Sequence, residues 1–247
     1  MIVKGIVFDI NGTMTDILTN EADEGVYRVI SNLLSYQGIL LDPAATKDLY
    51  FRIQKEQRAS AGEPYPEFDA IEIFREIFRQ HSTDFTRALP AAKLEQLPGF
   101  FAETYRAASR YRLQLYPGVY ETIRQLHQNY RLAVVSDAQT AYAIPELNAV
   151  GLFGLFDPII VSGDFGYRKP DERVFTAALS AMNLDASEVL YVGNDMHCDV
   201  HGAQRLGIKT VFFKSNQGNQ EMQGVEPDYI IYHFPELLNA VRFFESR

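Results

Sequence analysis

The sequence predicts an α/β fold: a doubly wound parallel sheet with an all-helical block inserted near its start. Three observations predict it. From about Leu115 onward, short apolar runs alternate with segments of helical period. One further run, Ile6-Val7-Phe8, stands alone near the amino end and stops at Asp9, before the turn-forming pair Asn11-Gly12. Between Asp16 and about Tyr111 there is helical periodicity and no convincing strand. The expected units are a core of residues 1–15 and 114–247 and a helical subdomain of residues 16–113.

The elements follow in order. Asn20 is placed to cap a helix carrying Val26, Val29, Ile30, Leu33 and Leu34, with Gly38 as its stop. Asp42-Pro43 reads as a second N-cap with proline in the first turn, leading a helix through Leu49, Tyr50 and Ile53 toward Gln57. The breaker-rich run from Ala59 to Glu67 is a loop. Ala70, Ile71, Phe74, Ile77 and Phe78 mark a third amphipathic helix, and the stretch from Phe100 to Arg110 a fourth. Tyr116-Pro117-Gly118 is a turn before a helix with Val119, Ile123 and Leu126. The strand Leu132-Ala133-Val134-Val135 ends in Ser136-Asp137, and a helix through Ile144, Leu147 and Val150 closes at Gly151. After the strand Pro158 to Val161, a polar loop from Gly163 to Asp171 holds Lys169-Pro170. A helix from Val174 to Met182 precedes the strand Val189 to Val192, which ends in Gly193-Asn194-Asp195. A helix through Val200 and Ala203 and a strand from Lys209 to Phe213 complete the alternation.

Bulk properties exclude several classes. At 247 residues the chain has room for a large core plus an insertion, and its 47% hydrophobic fraction is that of an ordinary soluble globule. A formal net charge of −9 argues against a nucleic-acid partner, which calls for a basic stripe. The single cysteine, Cys198, rules out an internal disulfide and fits a reducing compartment. No apolar stretch approaches the roughly 20 residues of a membrane helix, and the first strand begins too early to leave room for a signal peptide. The expectation is a cytoplasmic protein with no membrane partner; nothing in the sequence marks an oligomeric state.

Polar residues recur just past strand ends or in the next loop, at Asp9, Ser136, Lys169 and Asn194-Asp195. In a doubly wound sheet such points can converge on one crevice. As a set they resemble the haloacid dehalogenase superfamily, in its class with a helical cap inserted after the first strand, and the resemblance runs in order through nearly the whole chain. Phe8-Asp9-Ile10-Asn11-Gly12-Thr13 resembles the first motif, whose leading Asp is the nucleophile. Val135-Ser136 resembles the second, a hydroxyl that grips a phosphoryl group, and Lys169-Pro170-Asp171 the third, a lysine that balances nucleophile and phosphate. Val192-Gly193-Asn194-Asp195 with Asp199 resembles the acidic metal motif. The resemblance implies a Rossmann-like core and a hydrolase, expected to be a phosphatase of a small phosphorylated metabolite with Mg²⁺ as cofactor. It implies Asp9, Asn11, Ser136 and Lys169 as catalytic and Gly12, Thr13, Ser136, Asp137 and Lys169 as substrate-binding, with Arg58 added from the cap loop. Asp9, Asn11, Asn194, Asp195 and Asp199 are its implied metal residues. The chemistry is coherent: a carboxylate attacking phosphorus divides one hard displacement into two, and the charge that moves needs a cation, a lysine and a hydroxyl.

Three departures bear on activity. Asn11 stands where the family's phosphatases usually have a second Asp that protonates the leaving alkoxide, and an amide cannot exchange that proton. Another group, such as Asp16 or Asp137, would have to replace it. Asn194 stands where a ligating Asp is usual, so Asp195 is expected to take over the ligand role with Asp199 behind it. Asp137 replaces a common Asn and would repel phosphate unless Lys169 or the metal offsets it. Two other readings stay open. A dehalogenase needs no leaving-group proton, although the acidic pair Asp195 and Asp199 argues against metal-free chemistry. A non-catalytic, phosphate-responsive binder would carry the Asn residues as marks of lost chemistry. His197 and His201 flank Cys198 at helical spacing, but without a third ligand nearby they read as a solvated helix face.

Overall fold

The lone amino-terminal strand finds its partners far along the chain. In the computed structural model, which describes residues 1–247, β1 (Gly5–Phe8) lies parallel between β4 (Arg131–Ser136) and β6 (Val189–Gly193), with Phe8 level with Val134 and Val192. With β5 (Ile159–Val161), β7 (Lys209–Phe213) and β8 (Tyr229–Ile231) they form a six-stranded parallel sheet of order β5-β4-β1-β6-β7-β8. The chain winds outward on one side of β1 and then on the other. The carboxyl ends of β4, β1 and β6 therefore flank the switch point where such sheets bind ligands.

The pleat sorts the core into two layers. Ile6 and Phe8 pack among residues of α6 (Val119–Leu126), α7 (Thr140–Ala149) and α10 (Leu237–Glu245). Val7 faces the other side, against Val174, Phe175 and Met182 of α8 (Glu172–Met182). Each such side chain contributes about 1.5–3 kcal/mol by leaving water, so the strand ends that carry the polar residues are rigidly supported. Beyond β6 the chain makes a π-helical turn (Met196–His201) and a single α-turn, α9 (Gly202–Gln204), where one regular helix is expected from the sequence.

The insert is helical: α1 (Glu24–Tyr36), α2 (Pro43–Ser60), α3 (Ala70–His81), the single turn α4 (Asp84–Arg87) and α5 (Ala91–Ser109). It has its own core of Tyr27, Tyr50, Phe74, Phe101 and Tyr105, joined by Tyr142 from α7. Asp42 caps α2 as expected, but α1 is capped by Asp23, whose carboxylate accepts from Gly25 N–H at 2.6 Å. Asn20 instead closes a turn onto Ala22 N–H. The stretch from Asp16 to Tyr111 also departs from expectation, because a strand reaches into each end of it. β2 (Thr15–Thr19) and β3 (Arg110–Leu115) pair antiparallel, Asp16 opposite Gln114, where the chain leaves and re-enters the core. A five-residue strand whose only partner is that distant leaves little local signal.

Candidate active site

Asp9 follows β1 directly and is anchored by its N–H to Val192 C=O at 3.0 Å. Its Oδ1 accepts from Ser136 Oγ at 2.9 Å and from Lys169 Nζ at 2.8 Å, while Oδ2 has only Thr13 Oγ1 at 3.3 Å. Ser136 is the last residue of β4, and Lys169 reaches in from the loop before α8, almost wholly buried. The turn after Asp9 is tight because Gly12 sits at φ +83°, and a Cβ there would lie 2.4 Å from the Asn194 side-chain amide. Asp9, Thr13, Ser136, Lys169 and Asn194 are therefore brought together.

Sequence reasoning missed Tyr191. Its hydroxyl lies 3.2 Å from Lys169 Nζ and 3.0 Å from both Val135 C=O and Asp199 Oδ1. The available signal was a phenol in an otherwise aliphatic strand buried on both faces.

Two carboxylates contact one ammonium here, and a third, Asp137, adds to the field around it. Burial by itself would lower the Lys169 pKa, but Asp199 at 2.6 Å and Asp9 at 2.8 Å outweigh it and hold the ammonium well above the usual lysine range. Burial raises Asp199, against the pull of Lys169. Burial likewise pushes Asp137 up to about 7, although Lys169 opposes it. Asp137 Oδ1 accepts from Lys169 N–H at 2.9 Å.

Just past β6, Asn194 Oδ1 accepts from Thr13 Oγ1 at 2.8 Å, so one hydroxyl touches both Asp9 and Asn194. Asp199 Oδ2 accepts the N–H groups of Asn194 and Asp195, both at 2.9 Å. Asp195 Oδ1 caps the π-turn through His197 and Cys198 N–H at 2.9 and 2.8 Å, and its Oδ2 takes the backbone and side-chain N–H of Asn219. No three His, Cys, Asp or Glu side chains converge as a metal cluster. A cation beside Asp9 would meet that carboxylate and the neutral side-chain oxygen of Asn194, the two being bridged by the Thr13 hydroxyl. Gly12 and Gly218 leave the room in which the Asn194 side chain sits, since a Cβ on either would lie within 2.6 Å of its amide. That oxygen set fits Mg²⁺, which is commonly held by one or two carboxylates plus water and substrate phosphate.

A cavity of about 200 Å³ opens between this crevice and the insert, lined by Asn11, Arg58, Arg106, Asp137, Gln139 and Arg168 among others. The insert is tied down around it. Glu67 N–H donates to Gly166 C=O at 2.9 Å, and the Glu67 carboxylate accepts from Ser162 Oγ at 2.9 Å. Gln139 accepts from Ala70 N–H at 3.0 Å and donates to Phe68 C=O at 2.7 Å. Arg106 is paired with Glu146 at 2.7 Å, whereas Arg58 has one ion pair, 3.4 Å to Glu67, lies over the Phe68 ring at 4.8 Å, and keeps a buried Nε without a partner. Asp16 lies outside the crevice chemistry: its carboxylate accepts from Arg112, Gln114 and Gln217 at 2.8, 3.1 and 3.0 Å and braces the linker strands. His197 and His201 stack at 6.0 Å, and burial pushes the Cys198 thiol up to about 12.

Comparison with known proteins places the chain in a family. The model of the haloacid dehalogenase-like hydrolase family matches residues 3–207. A pyrophosphatase, PpaX, of Halalkalibacterium halodurans is 29% identical over 161 residues, covering 64% of this chain and 74% of that one. A phosphoglycolate phosphatase of Yersinia pseudotuberculosis is 26% identical over 242 residues, 97% of this chain and 93% of its own. Among solved structures, a 2-haloacid dehalogenase from Pseudomonas syringae pv. tomato DC3000 superposes with a TM-score of 0.68 at 19% identity, covering 98% of this chain and all of that one. This last likeness concerns the fold.

Proposed function

Because this chain belongs to the haloacid dehalogenase-like hydrolases, we propose that it hydrolyses a small phosphorylated metabolite through an aspartyl phosphate on Asp9. The observation that carries this reading is the convergence of Ser136 Oγ and Lys169 Nζ on one oxygen of Asp9, at 2.9 and 2.8 Å. Both donors sit where a phosphoryl oxygen would develop charge, and neither needs to reorganise far to meet it. Lys169 neutralises that charge, Ser136 turns from Asp9 to the transferred group, and Thr13 steadies Asp9 Oδ2. Asp9, Asn194 and the Asn11 carbonyl would hold Mg²⁺, which when bound neutralises phosphoryl charge. Gly12 lets the turn approach closely, and residues 16–113 act as the cap over the cavity.

Arg58 and Arg168 both line that cavity. They support a substrate with a second anionic group, a carboxylate or another phosphate, held away from the reacting centre. The test is a screen of small phosphorylated acids with wild type and Asp9→Asn, in Mg²⁺ and in EDTA. Phosphate release by wild type alone is expected; equal release by both proteins would overturn the assignment of Asp9.

One observation favours a second reading. The sequence objection to dehalogenation rested on Asp195 and Asp199, and the oxygens of both are engaged by backbone N–H groups, Lys169 and Asn219. In that chemistry Asp9 displaces halide from carbon and the halide leaves with its electron pair. Chloride release from a 2-haloacid in EDTA would select it over phosphoryl transfer.

A further inference from the structure

If the reaction is phosphoryl transfer, the acid missing at Asn11 must be supplied elsewhere, and we infer that Asp137 is the general acid and base. This inference rests on the phosphatase reading above. It starts from elimination. Asn11 is an amide and accepts from Thr15 Oγ1 at 3.2 Å. Asp16, Asp195 and Asp199 have their oxygens occupied, and Glu67 is held by Ser162, Phe68 N–H and Arg58. Glu21, also on the cavity wall, faces Arg106 at 3.7 Å from the insert side.

Asp137 differs from all of these. It is the next residue after Ser136, whose hydroxyl touches Asp9, and it lines the same cavity as Asn11. Its one hydrogen bond, from Lys169 N–H to Oδ1, leaves Oδ2 without a protein partner. An ester oxygen departing from a phosphorus attacked by Asp9 leaves on the side away from Asp9, and the cavity is the space available for it. A carboxyl raised to about 7 can hold a proton for the first step and accept one in the second.

The steps balance. As Asp9 bonds to phosphorus and the phosphorus–oxygen ester bond breaks, the Asp137 carboxylic acid gives its proton to the leaving oxygen, releasing the alcohol. The Asp137 carboxylate then takes a proton from water as that water attacks the aspartyl phosphate, which releases inorganic phosphate and regenerates the Asp9 carboxylate and the Asp137 acid.

The experiment compares wild type, Asp137→Asn and the double variant Asp137→Asn/Asn11→Asp on an alkyl phosphate and an aryl phosphate. Asparagine keeps an oxygen for Lys169 N–H, and thermal melts check that each variant folds. Asp137→Asn is expected to lose alkyl turnover by roughly 10²-fold or more. On the aryl phosphate, whose leaving group needs no proton, it should give one rapid burst of phenol followed by an Asp9 adduct visible by mass spectrometry. The double variant should regain alkyl turnover. Alkyl turnover by Asp137→Asn within about threefold of wild type, far inside the usual general-acid effect, would overturn the inference, as would a first burst of phenol slowed as much as alkyl turnover. Wild type releasing no inorganic phosphate from either substrate would instead remove the phosphatase reading, and this inference with it.

Discussion

Replacing Asp137 by Asn should stabilise the protein above neutral pH, the opposite of what removing an active-site charge is often assumed to do. The carboxyl is raised by burial from an ordinary 3.8 to about 7. The unfolded chain therefore loses its proton at lower pH than the folded one, and between these values the native state binds more protons. Stability then falls as pH rises from about 4 to about 7 and stays low beyond it. At about 1.4 kcal/mol per pH unit, a shift of roughly three units sets a ceiling of about 4 kcal/mol. The side chain is partly exposed, so solvent screening brings the expected effect to about 2 kcal/mol. Asparagine has no charge to bury, and its oxygen still accepts from Lys169 N–H. Urea unfolding of both proteins at pH 5 and pH 8.5, in EDTA, measures the difference directly. Asp137→Asn should gain about 1.3 kcal/mol relative to wild type between the two pH values, the part of that effect that falls above pH 5. A difference that is the same at both, or that favours wild type at pH 8.5, would refute the account of Asp137 as a carboxyl strained by burial.

Two further perturbations probe the neighbourhood. Gly12→Ala places a Cβ at φ +83° and 2.4 Å from the Asn194 amide, so it should cost about 1–3 kcal/mol in denaturant midpoint and raise the Mg²⁺ concentration needed for half-maximal activity. An unchanged midpoint would show that the turn relaxes freely. Arg58→Ala should raise KM for a phosphorylated acid by roughly tenfold or more, the worth of one charged hydrogen bond, with kcat nearly unchanged. A fall in kcat with KM constant would instead place Arg58 in the transition state.

Much of this molecule was legible in its residues. Asp9 and Ser136 converge because a buried strand can end only where its apolar run ends and their two strands are neighbours at the switch point of the sheet, where the loop before α8 brings in Lys169. The insert's helices follow from apolar periodicity and from caps such as Asp42, which are local signals. The pairing of β2 with β3 was not legible, because strands that short are stabilised by partners the local sequence does not contain. Nor was the division of labour among the acids. Asp16, Asp137, Asp195 and Asp199 are alike in sequence, yet one braces the linker, one is half-buried beside the cavity, one caps a π-turn and one holds Lys169. The residue type supplies a carboxylate. Which donors its oxygens meet, and how much water remains around it, depend on backbone turns and packing from distant parts of the chain, and these decide whether it is a ligand, an acid or a brace.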